Sequence, residues 1–228
     1  GKFEPLNLLL CARLFNPHQA SNTAQGGRKV WALAKVGEGF KAIGADEVNP
    51  YVLMTTSFDG STATVAKLTA IRVVCNNTLT VAMRVITNAV RVSHHSMWNA
   101  QDAKIELGLI DDSWAEYRET VQRMASCDML ARQADRILCE TMAKKGDKAE
   151  DVRESAGYKT IMDLFFNGKA IGSDLTEGRT VWQFTNAVTE YVDHMQGRLQ
   201  DNRIRNAWYG TGNTFKMDAF RKAAELVA

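Results

Sequence analysis

PYVLMTTSFDGSTATVAKLTAIRVVC, residues 50–75, decides how the chain is read. Two runs rich in Val, Thr and Ala flank Asp59-Gly60, a dipeptide that suits a two-residue type I′ turn because both central positions need a positive φ. The stretch predicts a β-hairpin with strands over 50–58 and 61–75. Arg72 interrupts the apolar end of the second strand. By alternation it shares a strand face with Leu68, Ala70 and Val74. Its guanidinium therefore either meets a groove or lies buried against an acceptor, because burial without a partner is not a stable arrangement.

Upstream, GGRKVWALAKV (26–36) also alternates with period two. Val30, Ala32, Ala34 and Val36 point one way; Lys29, Trp31, Leu33 and Lys35 point the other. The first face reads as core. The second mixes aromatic with basic groups, which suits either a ligand surface or an ordinary solvated strand. Downstream, Asn76 or Asn77 is placed to cap a helix whose apolar positions Leu79, Ala82, Met83, Ile86 and Val90 recur at helical spacing. Asn76 reads as the cap. Asn77 is open to anion contact, since free N–H groups at a helix start favour negative charge. On the same predicted helix Arg84, Asn88, Arg91 and His95 form a basic stripe, which is also what a solvated face looks like.

The first half thus reads β-β-β-α, an antiparallel sheet packed on a helix, and the second half reads as helical. SWAEYRETVQRMASCDMLARQADRILCETMAKKG (113–146) opens on the capping-box pattern Ser113…Glu116 and predicts one long helix over 113–143. Its stripe of Trp114, Tyr117, Val121, Met124, Leu130, Ala134, Ile137 and Leu138 suits core or a subunit contact. KGDKAEDVRESAGYKT (145–160) is polar and charged and reads as a linker or flexible loop. RTVWQFTNAVTEYVDHMQGR (179–198) predicts a helix, and NAWYGTGNTFKMDAFRKAAEL (206–226) ends one helix at Gly210-Thr211-Gly212 and starts the last. The expected class is α+β. The expected division is a β-β-β-α core with its long helix over 1–146 and a helical part over 147–228 packed on the same domain.

Composition sets outer bounds. The 228 residues, 45% hydrophobic and 24% charged, exclude a disordered chain. No apolar run approaches the ~18 residues that span a bilayer, and LNLLLCARLF is too short and too interrupted for a secretion signal, so a soluble cytoplasmic protein is expected. The four cysteines, Cys11, Cys75, Cys127 and Cys139, stand far apart with no CxxC pair and suggest neither zinc nor a disulfide framework. Residues 26–95 carry eight Lys/Arg against four Asp/Glu, whereas residues 96–228 carry eighteen against twenty-one. The basic excess sits in the first half, weak evidence for a polyanion partner unless the fold gathers it.

Chemistry-bearing patterns are sparse. Glu190, Asp193 and His194 in TEYVDH lie at neighbouring helical positions and, with His94-His95, offer oxygen and imidazole ligands of a metal-binding kind. Adjacent His94 and His95 would diverge by roughly 100° on a helix, which works against a shared ion. GTGNTFK (210–216) has glycines before a helix start, but it follows a helix and lacks nucleotide-loop spacing, so a plain helix–helix turn is expected. No Ser or Cys has a recognisable base partner. No catalytic residue, metal or cofactor is therefore assigned.

GGRKVWALAKV, LTAIRVVCNNTL, NAVTEYVDH and AWYGTGN, in this order, resemble a family of phage- or plasmid-like proteins of unknown function, found in bacteriophages, plasmids and integrative elements. The resemblance covers nearly the whole chain. The β-β-β-α order is more loosely similar to the core of single-strand annealing proteins of the eukaryotic recombination-mediator and phage RecT, Erf and Red-beta kind, a likeness of architecture rather than motif. It implies an ATP-independent homo-oligomer, a ring or helix, that holds single-stranded DNA, with a phage exonuclease or single-strand binding protein as further partners. Of the residues in this chain, Arg28, Lys29, Lys35, Lys67, Arg72, Asn77, Arg84 and Arg91 are the candidates to grip the phosphates such a protein must hold, and Trp31 or Tyr51 to stack its bases. The other expectation is a protein-interaction or regulatory module of a mobile element, such as a host-defence antagonist.

Overall fold

The structure is a computed structural model and describes residues 29–35, 37–57, 64–74, 78–80, 90–92, 100–175, 179–197 and 200–228. Among these described residues six strands form one sheet: β1 (Lys29–Lys35), β2 (Phe40–Ile43), β3 (Asp46–Ser57), β4 (Thr64–Arg72), β5 (Thr78–Thr80) and β6 (Val90–Val92). The order is β1-β3-β4-β5, with β2 also on β3 and β6 also on β4. Helices follow: α1 (Ala100–Ser126), α2 (Ala131–Met142), α3 (Ala149–Glu154), α4 (Ala156–Phe166), α5 (Val181–Glu190), a π turn (Tyr191–Met195), α6 (Gln200–Tyr209) and α7 (Thr211–Ala224). The α+β class holds, with antiparallel sheet first and helices after.

The chain divides into two compact units, residues 1–39, 49–70 and 80–115, and residues 40–48, 71–79 and 116–228. In the first, β1 runs antiparallel to β3 with Trp31 opposite Thr55, Leu33 opposite Leu53 and Lys35 opposite Tyr51. Opposed residues share a sheet face. The face that carries Lys29, Trp31 and Lys35 thus also carries Tyr51 and Leu53, and these two are buried. The face read as mixing aromatic with basic groups therefore also takes part in the core at Tyr51 and Leu53. Strand β6 pairs antiparallel with β4, Arg91 opposite Val65. The two strands of the predicted hairpin are present, and the Asp59-Gly60 turn lies outside the described residues.

The helix expected after Cys75 is corrected at Leu79 and Val90, and residues 81–89 between them lie outside the described residues. Thr78–Thr80 and Val90–Val92 are strands. Thr and Val are branched at Cβ, which favours a pleated strand over a helix turn. The hairpin of β2 and β3, turning at Gly44 with φ of 52°, was not anticipated.

In the second unit the helix predicted over 113–143 is two helices. Residues 127–130 leave the helix: Met129 N–H donates to the Arg179 carbonyl at 2.7 Å, and Val181 N–H to that of Cys127 at 2.9 Å. Helix α1 begins at Ala100, so Ser113 lies inside it rather than at its start. Tyr117, Val121, Met124, Ala134, Ile137 and Leu138 are buried, and Leu130 is exposed. Most of this apolar stripe is therefore buried within the chain. Tyr117 packs on Phe40 and on Phe220, ring centroids 6.0 Å and 5.5 Å away.

The stretch 145–160, expected to be a linker, is a turn to Lys148 and then helical over Ala149–Glu154 and from Ala156. The Asp151 carboxylate accepts from Lys148 N–H, the Ser155 hydroxyl caps α4 by accepting from Tyr158 N–H, and Val152 and Gly157 are buried. Its charges pair locally, Arg153 with Glu150 and Lys159 with Glu154. The helices at 179–198 and the turn between α6 and α7 fall where expected. At that turn the Asn206 side-chain oxygen accepts from Gly212 N–H and from the Thr211 hydroxyl, so Asn206 covers the helix start that a phosphate would need.

Candidate functional site

Among the described residues of the second unit, polar side chains gather in three places. At the first, β4 ends on Arg72, 3% exposed, and the hairpin of β2 and β3 supplies Asp46, 0% exposed. Arg72 Nε lies 2.6 Å from Asp46 Oδ1; its Nη1 and Nη2 donate to the carbonyls of Ile171 and Gly172 at 2.7 and 3.0 Å. The second Asp46 oxygen accepts from the Trp182 indole at 2.8 Å. Glu190 holds the same loop from α5 by accepting from Ile171 N–H at 2.8 Å. Gly172 suits the contact on two counts. Its φ is +73°, and a Cβ there would stand 2.5 Å from Val74 Cγ1 and 2.9 Å from Arg72 Nη2. Burial, aided by the Asp46 charge, raises the Tyr117 phenol well above its ordinary value and keeps it protonated.

The second place joins β5, the π turn and α7. Lys216, 1% exposed, donates to the Thr78 carbonyl (2.7 Å), the Thr78 hydroxyl (3.0 Å) and Asp193 Oδ1 (2.5 Å). Asp193 Oδ2 in turn accepts from Thr78 N–H at 2.6 Å and its hydroxyl at 3.0 Å. All three ammonium donors have acceptors, which a buried ammonium requires. Burial lowers the Lys216 pKa, and the Asp193 carboxylate opposes that shift.

At the third place Arg153 from α3 makes two hydrogen bonds to Asp135 on α2, at 2.8 and 2.9 Å, and the Tyr158 hydroxyl from α4 donates to the same carboxylate at 2.8 Å. The Arg153 hydrogen bonds hold the Asp135 carboxyl down to about 2. Burial, then the Asp135 carboxylate, pushes the Tyr158 phenol up to about 12. Asp135 in the folded chain thus titrates below the ordinary ~3.9 of an unfolded one. Its contribution to stability is complete above pH ~4 and is lost as pH falls through about 2. Asp135→Asn is expected to flatten the acid limb of stability between pH ~4 and ~2, read by urea midpoints at each pH. An unchanged slope would contradict the assignment.

Beside Arg72 lies a concavity of about 240 Å³ whose lining includes Phe166, Ile171, Asp174, Arg179, Gln183 and Asn186. Arg179 lies over the Phe166 ring, 5.1 Å from its centroid. Gln183 is fixed by the helix cap, accepting from Thr180 N–H at 3.0 Å and donating to the Ser173 carbonyl at 3.2 Å.

The residues expected to grip DNA do not all meet. Arg72 and Lys67 are buried, and so is Tyr51. Lys35 is exposed at the end of β1. Lys29, Trp31 and Arg91 lie on strands. Arg28, Asn77 and Arg84 lie outside the described residues, as do Asn76, His94 and His95. Of the metal-type triplet, Glu190 and Asp193 are engaged by protein donors and His194 is exposed. No group of three or more His, Cys, Asp or Glu suited to a metal occurs among the described residues. Reading the sequence missed Asp46, Lys216 and Asp135.

A family model described as a domain of unknown function (DUF932) matches residues 3–208. The chain belongs to the DUF932 family. No curated protein and no solved structure matches it. Among the described residues of this DUF932 chain no helix is long and apolar enough to cross a membrane. The matched span holds Asp46, Arg72 and Asp193 and stops short of Lys216.

Proposed function

We propose that the chain is an ATP-independent single-stranded DNA binding and strand-annealing protein of a phage, plasmid or integrative element, working in the cytoplasm as a homo-oligomer. What supports this reading is β1, the terminal strand in the sheet order, whose sequence alternation puts Lys29, Trp31 and Lys35 in one register and whose Lys35 is exposed at the strand end beyond the buried Leu53. The lysines supply sequence-neutral phosphate contacts, and Trp31 supplies a stacking platform. Arg91 on β6 adds a further cation to the first unit's sheet. With Lys67, Arg72 and Tyr51 buried, one protomer offers few contacts, so tight binding requires many protomers along one strand. An exonuclease or single-strand binding protein of the same element would supply or receive the strand.

The test is oligonucleotide binding as a function of salt. About three phosphate contacts per protomer predict a slope of log K on log salt near −2 per bound protomer. Lys29→Ala with Lys35→Ala is expected to make that slope shallower by about 1.4 and leave the melting temperature in place. Complementary strands should pair faster with the protein present and ATP absent. A monomer with no affinity for DNA at low salt overturns the reading. It would leave a protein-interaction module of a mobile element, which the inward placement of Lys67, Arg72 and Tyr51 favours.

A further inference from the structure

We propose that the concavity beside Arg72, walled by α4, the loop after it and the start of α5, binds a small apolar α-amino acid. It is carried by two opposite charges that line one cavity of about 240 Å³ without meeting, Arg179 and Asp174. Both are exposed, and among the described residues neither forms an ion pair with the other or with a third group. The Arg179 guanidinium is fixed from one side. It lies over the Phe166 ring, 5.1 Å from the centroid, and its Nε donates to the Phe166 carbonyl at 3.3 Å. Its Nη1 and Nη2 have no hydrogen-bond partner among the described residues, and this end of the fork accommodates a carboxylate through two parallel bonds. Asp174, in the 3-10 turn Ser173–Leu175, offers its carboxylate to an ammonium.

The remaining wall is apolar or already engaged. Leu164, Phe165, Ala170 and Ile171 line it with apolar side chains. Gln183 is tied to Thr180 and Ser173, Asn186 donates to the Trp182 carbonyl, and the Ser173 hydroxyl donates to the Gly168 carbonyl at 2.6 Å. These polar groups serve as wall and are not asked to contact the ligand. A plain anion would meet Asp174, a plain cation would meet Arg179, and a neutral apolar molecule would match neither charge. An α-amino acid carries carboxylate and ammonium on one carbon and turns its side chain to the apolar wall. A residue inside a peptide has both groups tied up in amide bonds, so the free amino acid is the class that fits. The volume, below the ~300 Å³ at which pockets for larger ligands begin, sets a small size. The lip is already built, because Arg72 holds the Ile171 and Gly172 carbonyls and Glu190 holds the Ile171 N–H.

None of these residues carries the proposed strand contact on β1, so the amino-acid site and the annealing reading stand or fall separately. The test is a ligand-observed NMR titration of the full chain with L-leucine, carried to about 10 mM so that a dissociation constant near 1 mM is measurable. Saturable binding is expected. Isoamylamine, which is leucine without its carboxylate, and 4-methylpentanoate, which is leucine without its ammonium, should each bind at least about tenfold more weakly, the effect of losing a hydrogen bond between charged groups. Glycine, which leaves the apolar wall uncovered, should also bind at least about tenfold more weakly than leucine. Arg179→Ala and Asp174→Asn, both at exposed positions, should each weaken leucine binding about tenfold and leave the melting temperature in place. No binding of leucine by the unaltered chain at about 10 mM overturns the site, as does an affinity that neither variant moves. Loss in one variant alone overturns it too, since that is the mark of a site for a single charge. Glycine or either analogue binding as tightly as leucine has the same force.

Discussion

Arg72→Ala should lower the free energy of unfolding by about 3–5 kcal/mol, the usual cost of removing one partner from a buried pair. The variant leaves the Asp46 carboxylate, fully buried, with the Trp182 indole but without its cation. It also strips the Ile171 and Gly172 carbonyls of their donor and opens a void where the guanidinium lay. Since whole domains hold only about 5–15 kcal/mol, a fraction of the variant should be unfolded at ordinary temperature. Urea unfolding followed by tryptophan fluorescence measures this. Asp46→Leu with Arg72→Met should cost less than the sum of its parts, with a coupling of about 0.5–3 kcal/mol. A variant that folds with undiminished stability and loses only ligand affinity would mean that Arg72 works at a surface, and would count against the burial described above.

The second large effect is expected at Asp193→Ala, again about 3–5 kcal/mol at pH 7. The carboxylate is gone while the Lys216 ammonium stays buried with the Thr78 oxygens alone. Burial lowers the Lys216 pKa in the folded chain, and losing Asp193 removes the group that opposes this. Between the folded pKa and the ordinary ~10.4 the unfolded state holds more protons, so stability rises with pH in that window. The window is wider without Asp193. The variant should therefore regain part of its loss between pH 7 and about 9.5, more steeply than the unaltered chain. Parallel urea midpoints at the two pH values test this. Equal slopes would mean that Lys216 is not the titrating group.

What could be read from the residues depended on how local the cause was. Alternation over 50–58 and 61–75 located β3 and β4 because a strand's faces are written directly in sequence, and Gly210-Thr211-Gly212 located the last helix boundary because turns are local. Leu79 and Val90 misled because, with Ala82, Met83 and Ile86, they keep helical spacing, and the β-branched neighbours Thr78, Thr80 and Val92 were the better arbiter; Ala82, Met83 and Ile86 lie outside the described residues. The charged stretch 145–160 misled for the opposite reason: its charges satisfy one another locally, Arg153 with Glu150 within one helix and Lys159 with Glu154 across the break to the next, so polarity there does not signal a loop.

The buried clusters were hidden because their partners are distant in sequence. Arg72 was visible as an anomaly, but Asp46 and the loop at Ile171 that satisfy it lie 26 and 99 residues away. One sign of Lys216 was available: Gly212, Lys216, Ala219 and Ala223 fall at spacings of four, three and four, which places a cation on the small-residue face of α7.

The π turn at Tyr191–Met195 has a consequence for the family's tolerance of insertions and deletions. Gln196 N–H reaches back five residues to the Tyr191 carbonyl, at 2.8 Å, so one residue more than an α-helix needs is looped into the backbone. Removing a single residue there would restore regular winding and swing every following side chain by about 100° about the axis. Tyr191–Met195 therefore acts as a phase setting: its extra residue orients Asp193 toward Lys216, and a relative one residue shorter at this point would need its acid at another position.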